Sequence, residues 1–168
     1  MKNIVLTGFM GTGKTTVGRL LAKKTGRRFI DTDMAICDRE NRSVADIFAA
    51  GGEEYFRKVE KQVIADICRL SNCVIATGGG VVLNSENIEN LRRNGVIINL
   101  KANAETIIRR TSSDSSRPLL NRKNEQQVRE LLESRAPYYA NNDFEIEIEG
   151  QSPLLIAEKI VEIYKKLI

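Results

Sequence analysis

Short runs of consecutive apolar residues alternate along this chain with longer stretches whose apolar positions recur every three or four residues. The first pattern suits strands buried on both faces, and the second suits helices that bury one face. A strand is predicted over Asn3 to Leu6, and a helix from about Lys14, with Val17, Leu20 and Leu21 on one face and Gly26 placed to end it. Phe29-Ile30 predicts a short second strand closing on Asp31. Two short helical stretches come next, the second opening at Ser43 with Asp46 three residues on, close to a capping box. From Glu54 to about Leu70, Phe56, Val59, Val63 and Ile67 keep helical spacing. Cys73 to Ala76 and Val96 to Leu100 read as central strands of a parallel sheet. Phe144, Ile146 and Ile148 alternate with Glu145, Glu147 and Glu149, the period of a strand with one wet face, which predicts a sheet edge. The last helix starts where Ser152 caps and Pro153 takes the first helical position. About five strands with helices between them predict an α/β fold.

Length and composition narrow this picture. A chain of 168 residues fits a single domain, and 42% hydrophobic with 29% charged residues supplies a core and excludes a disordered tail. The glycines and prolines show no period, which excludes collagen-like and solenoid architectures. Apolar runs such as Val96-Ile97-Ile98 fall far below the roughly 18 to 20 residues of a membrane-spanning helix. Met1-Lys2-Asn3 leads straight into the first strand, so no targeting peptide is expected. Three cysteines without Cys-x-x-Cys spacing predict unpaired thiols in a reducing cytosol. The absence of histidine excludes Ser-His and Cys-His nucleophiles, which leaves carboxylates, Lys, Arg, hydroxyls or a metal to carry any chemistry. A net charge of +4 favours an anionic partner without choosing one.

Gly8-Phe9-Met10-Gly11-Thr12-Gly13-Lys14-Thr15 satisfies Gly-x4-Gly-Lys-Ser/Thr and lies between a predicted strand and a predicted helix. Its glycines let backbone N–H groups wrap phosphate oxygens, and the helix that follows points its positive end at the same anion. Lys14 supplies an ammonium for the β- and γ-phosphates, and the Thr15 hydroxyl is a neutral oxygen ligand suited to Mg²⁺. The pattern in this context predicts binding of a nucleoside triphosphate.

The acceptor half is read from three further places. Asp31-Thr32-Asp33 follows the second strand at the sheet's carboxyl edge, where residues two apart in extended chain point the same way. One carboxylate would serve the metal's water shell and the other a substrate hydroxyl, with capping of the next helix by Asp33 as the alternative. The third strand ends in Thr77 and glycines rather than an acid, which makes Asp31 the candidate for the metal side. Gly78-Gly79-Gly80 either brings backbone N–H groups close to a ligand or is a flexible turn. Arg57 and Arg135 suit a substrate carboxylate, against the alternative of surface ion pairs. Thr111 to Asn124 is rich in Ser, Asn and Arg, holds Arg117 and Arg122, and reads as a mobile surface loop flanked by Arg109 and Arg110.

The phosphate loop through Gly18, Asp31-Thr32-Asp33, Phe56-Arg57-Lys58-Val59-Glu60, Gly78-Gly79-Gly80, Arg117-Pro118-Leu119-Leu120 and Arg135-Ala136-Pro137-Tyr138 together resemble the shikimate kinase family in that family's order. The resemblance implies a three-layer P-loop fold like that of nucleoside monophosphate kinases, a five-stranded parallel sheet in the order 2-3-1-4-5 plus a mobile lid. It implies ATP-dependent phosphorylation of the 3-hydroxyl of shikimate, in the route to chorismate and aromatic amino acids, by a cytoplasmic monomer; the 5% aromatic content without tryptophan and the short apolar runs predict neither a nucleic-acid nor a membrane partner. Gly11, Thr12, Gly13, Lys14, Thr15 and Thr16 would hold the phosphates, Thr15 the Mg²⁺, and Asp31 the metal through water. Asp33, Arg57, Gly79, Gly80 and Arg135 would line the shikimate site, within a substrate-binding helical segment of about residues 33–60. The lid, about 111–124, would bring Arg117 over the phosphates, with Lys14, Asp33 and Arg117 as the catalytic groups. Arg110 and the segment at Pro153 would border the adenine. Other small-molecule or nucleotide kinases share the fold, and a non-enzymatic nucleotide-binding regulator is favoured only by the positive charge.

Overall fold

A computed structural model describes residues 1–111 and 125–167. Five strands form one parallel sheet: β1 (Asn3–Thr7), β2 (Arg28–Asp31), β3 (Cys73–Ala76), β4 (Gly95–Lys101) and β5 (Phe144–Glu147), in the order β2-β3-β1-β4-β5. The apolar runs explain the order. β1 and β3 are buried along their whole length and β4 along all but its last residue, as strands with neighbours on both sides and helices on both faces must be. β2 and β5, with mixed patterns, take the edges.

Helices flank the sheet in a three-layer arrangement: α1 (Lys14–Thr25), α2 (Thr32–Glu40), α3 (Val44–Ile67), α4 (Ser85–Arg93), α5 (Ala104–Thr111), α6 (Glu125–Tyr139) and α7 (Pro153–Leu167). The sequence signals for their ends hold. Gly26 closes α1 in the left-handed conformation, Ser43 accepts from Asp46 N at 3.1 Å ahead of α3, and Ser152 accepts from Leu155 N ahead of α7. α1 packs on α7. The end of the chain is tied to its start, since Tyr164 and Arg27 both donate to the Lys2 carbonyl and the Arg27 guanidinium lies over the Tyr164 ring. Among the described residues all three cysteines are free thiols, and no helix is long and apolar enough to cross a membrane.

Two expectations change. The short helix opening at Ser43 and the helix expected over Glu54 to Leu70 form one element, α3, broken only at Gly52 (φ 70°, ψ −176°) and ending at Ile67. The backbone is not extended through Asp33, because α2 begins at Thr32, and Asp31 caps that helix in place of Asp33. Asp31 Oδ1 accepts from the N–H groups of Asp33 and Met34, so the first carboxylate that the chain offers to the orphan donors takes the position.

Register brings the motifs level. Leu6 and Asp31 both pair with Ala76, and Thr7 pairs with Asn99, so the segments after β1, β2 and β3 leave the sheet at one height. Because every strand runs the same way, all three emerge on the carboxyl edge, where open α/β sheets bind ligands.

Candidate active site

A cleft of about 580 Å³ opens on this edge, lined by the phosphate loop, Asp31, Asp33, Gly78 to Gly80, the start and middle of α3, and Arg135. The loop is held by its own bonds. Lys14 Nζ donates to the carbonyls of Gly8 (2.7 Å) and Phe9 (3.0 Å), and the buried Thr12 hydroxyl donates to Phe9 O at 2.9 Å. Gly13 caps α1 at φ 89°, a conformation that L side chains rarely adopt, and contributes no capping side chain. The first turn of α1 contains no acid. A helix start with orphan N–H groups, a positive dipole end and a lysine, but without a carboxylate of its own, is suited to an external anion.

The two aspartates are set apart by the helix that begins between them. Asp31 Oδ2 accepts from the Thr15 hydroxyl at 2.7 Å while Oδ1 caps α2, which holds Asp31 against the phosphate loop. Asp33, one position into α2, lies instead against the glycine turn, where a Cβ on Gly78 would stand 2.5 Å from its Oδ1. A Cβ on Gly80 would overlap the Arg57 guanidinium, so absence of side chains here makes room for site groups as well as for ligand.

Arg57 is neither a surface ion pair nor an isolated cation. Its Nη1 bonds both oxygens of Glu60, at 2.9 and 3.1 Å, and Nη2 reaches Glu53 at 3.3 Å. Glu60 is buried, with 1% of its side chain exposed. Burial pushes its carboxyl above the usual carboxylate range; Arg57 opposes this, and Asp33 adds like charge. The i, i+3 spacing of Arg57 and Glu60 on a helix is the sequence signal for this pair, but the spacing alone assigns Glu60 no role. Arg135, on α6, is 6% exposed and stands over the Phe9 ring at 5.9 Å. Arg57 Nε and Arg135 Nη1 are buried and have no hydrogen-bond partner among the described residues.

Gly11, Gly13, Lys14, Thr15 and Thr16 line the cleft together with Asp31, Asp33, Arg57, Gly79, Gly80 and Arg135. Thr12 does not, because its hydroxyl turns inward to brace the loop. Arg110 reaches the loop from α5, with Nη1 3.3 Å from Gly11 O, but stays off the lining. Pro153 is exposed at the start of α7 and is likewise off the lining. Arg117 and all of the expected lid except Thr111 lie outside the described residues.

A phosphate loop after the central strand of a sheet ordered in this way is the architecture of P-loop kinases, and the arginines and Asp33 across the cleft fit a small acceptor bearing a carboxylate and hydroxyls. A family model described as shikimate kinase matches residues 10–165, and the chain belongs to that family. The shikimate kinase of Caldanaerobacter subterraneus subsp. tengcongensis is 52% identical over 168 residues, covering 99% of this chain and 98% of its own length. That of Caldicellulosiruptor bescii is 49% identical over 165 residues, covering 98% and 96%. Among solved structures, the shikimate kinase from Acinetobacter baumannii in complex with shikimate aligns with a TM-score of 0.95 at 37% identity, covering 99% of this chain and 94% of that one.

Proposed function

We propose that this cleft transfers the γ-phosphoryl group of ATP to the 3-hydroxyl of shikimate, releasing ADP and shikimate 3-phosphate for the route to chorismate. Family membership supplies the reaction, and the observation that supports its acceptor half is the pair of buried guanidinium nitrogens on Arg57 and Arg135 that have no partner among the described residues. Buried donors of this kind await an acceptor, and a planar carboxylate can take bonds from both arginines.

Phosphoryl transfer asks for alignment and charge neutralisation more than for a strong base. Lys14 and the loop N–H groups hold the phosphates, while Asp33 accepts the hydrogen bond of the attacking hydroxyl and orients it. Glu60 fixes Arg57 by its two-pronged bond, so the guanidinium meets the substrate without first having to be ordered. Residues of about 33–60 form the shikimate-binding segment within a single kinase domain, and Arg110 lies beside the nucleotide. The readings of 111–124 as a lid carrying Arg117, and of the segment at Pro153 as an adenine border, rest on the sequence resemblance.

The donors at Thr15 and Asp31 fit Mg²⁺: the Thr15 hydroxyl is a hard oxygen at the phosphate loop, and Asp31, 2.7 Å from it, would reach the ion through water, which leaves most coordination to phosphate and water, as that ion prefers. When bound, the ion neutralises charge on the β- and γ-phosphate oxygens. We read the protein as a cytoplasmic monomer without a nucleic-acid partner; sedimentation tests the oligomeric state and salt-dependent binding assays the absence of a nucleic-acid partner.

ADP release from Mg-ATP, followed with shikimate and with quinate and AMP as control acceptors, tests the function. Release dependent on shikimate is expected. Turnover with AMP and none with shikimate would keep the phosphate loop and overturn the acceptor assignment.

A further inference from the structure

The glycine turn after β3 has no side chains by which to hold itself, yet site residues rest on it. Asp33 Oδ1 and Glu60 Oε2 would stand 2.5 and 3.4 Å from a Cβ on Gly78, and the Arg57 guanidinium fills the space beside Gly80. A shift of the turn therefore displaces groups on both α2 and α3. Two buried hydroxyls grip it from different elements. Gly78 N–H donates to Thr32 Oγ1 at 2.8 Å, and the Tyr139 hydroxyl donates to the Gly79 carbonyl at 2.5 Å. Thr32 is completely buried between the two aspartates. Tyr139 closes α6 one helical turn after Arg135 and meets Phe9 of the phosphate loop edge-on at 6.3 Å. Neither residue lines the cleft.

We propose that Thr32 and Tyr139 are positioning residues for the acceptor, their hydroxyls clamping Gly78 and Gly79 so that Asp33, Arg57 and Arg135 keep the spacing shikimate requires. Each bond spans two elements of the site: Thr32 joins the turn to the element that carries Asp33, and Tyr139 joins it to the helix that carries Arg135. Removing the Thr32 hydroxyl leaves the buried Gly78 N–H unsatisfied, removing that of Tyr139 frees the Gly79 carbonyl, and the turn relaxes toward whatever partner it can find. The phosphate loop is braced by separate bonds of Lys14 and Thr12, so the effect falls on the acceptor side.

The inference rests on the shikimate kinase reading, and steady-state kinetics of the full chain separate the two. Thr32→Val keeps the shape and deletes the hydroxyl, Thr32→Ser restores it, and Tyr139→Phe removes one oxygen. Thr32→Val and Tyr139→Phe are each expected to raise the KM for shikimate about tenfold, the scale of one lost buried hydrogen bond, with the KM for ATP held within about twofold and Thr32→Ser close to wild type. An unchanged shikimate KM, an equal rise in the KM for ATP, or no rescue by serine overturns the clamp. If Thr32→Val fails to fold by circular dichroism, Tyr139→Phe decides by the same criterion. Absence of shikimate turnover in the wild-type protein would overturn the activity itself, whereas normal wild-type turnover with indifferent variants overturns only the clamp.

Discussion

Asp31 and Asp33 stand two residues apart in the chain and serve different sides of the cleft because a helix starts between them. Asp31 caps α2 and holds Thr15 at the phosphate loop, while Asp33 lies beside the glycine turn. Asp33→Asn keeps the size of the side chain and removes its charge, so we expect kcat to fall by about 10²- to 10⁴-fold, the range of general acid–base contributions, with the thermal midpoint little changed. Unchanged kinetics would reduce Asp33 to a packing residue. For Lys14→Met we expect ADP release to fall at least about a thousandfold, since one well-placed charge on the transferring group contributes on that scale. Near-normal turnover would remove the lysine from catalysis. Both residues were legible in the sequence through motif spacing. Glu60 was not, because its role depends on burial: an exposed glutamate three residues after an arginine contributes only a few tenths of a kcal/mol, whereas here Glu60 is buried and holds Arg57 at the cleft.

Among the elements, α3 shows how one residue changes a helix's purpose. Periodicity predicted its two halves separately, and the structure joins them through Gly52. In a regular helix Gly→Ala stabilises by about 1 kcal/mol, but at φ 70° and ψ −176° an L residue is strained by about 1–3 kcal/mol. Nothing lies within 4 Å of a Cβ there, so the backbone conformation alone decides the sign. Gly52→Ala is therefore expected to lower the urea midpoint without changing the m-value; a rise in stability would mean that α3 is continuous in solution. The strands were readable because buried parallel strands are apolar without interruption, and β5 because its alternation marks one wet face. The conformation of Gly52 was not readable, since helical spacing on either side carries no information about the angle between the halves.

For the whole molecule, the parallel sheet collects on one edge what the chain scatters over more than a hundred residues, and it encloses Tyr139 beneath the site. Burial pushes the Tyr139 phenol up from 10 to about 12, the Arg135 charge opposing it only in part. Below pH 10 both folded and unfolded chains keep this proton and its contribution to stability is fully present. Between pH 10 and 12 the unfolded chain releases a proton that the folded state retains, so stability falls as pH rises through that window. The decline is of the order of 3 kcal/mol for this group, and comparing urea unfolding of the wild type and Tyr139→Phe across the window isolates it. Parallel pH curves for the two proteins would show that the phenol is not held in this environment. By itself the sequence determined the fold class, the phosphate loop and most of the residues that line the cleft, because those depend on local periodicity and on side-chain chemistry at short spacing. Only the tertiary structure decided which aspartate caps α2 and which lies against the glycine turn, that Glu60 holds Arg57, and that Thr32 and Tyr139 bond the glycine turn. Each of these depends on burial or on contact between elements distant in sequence, and neither quantity is encoded in the spacing of residues along one strand or helix.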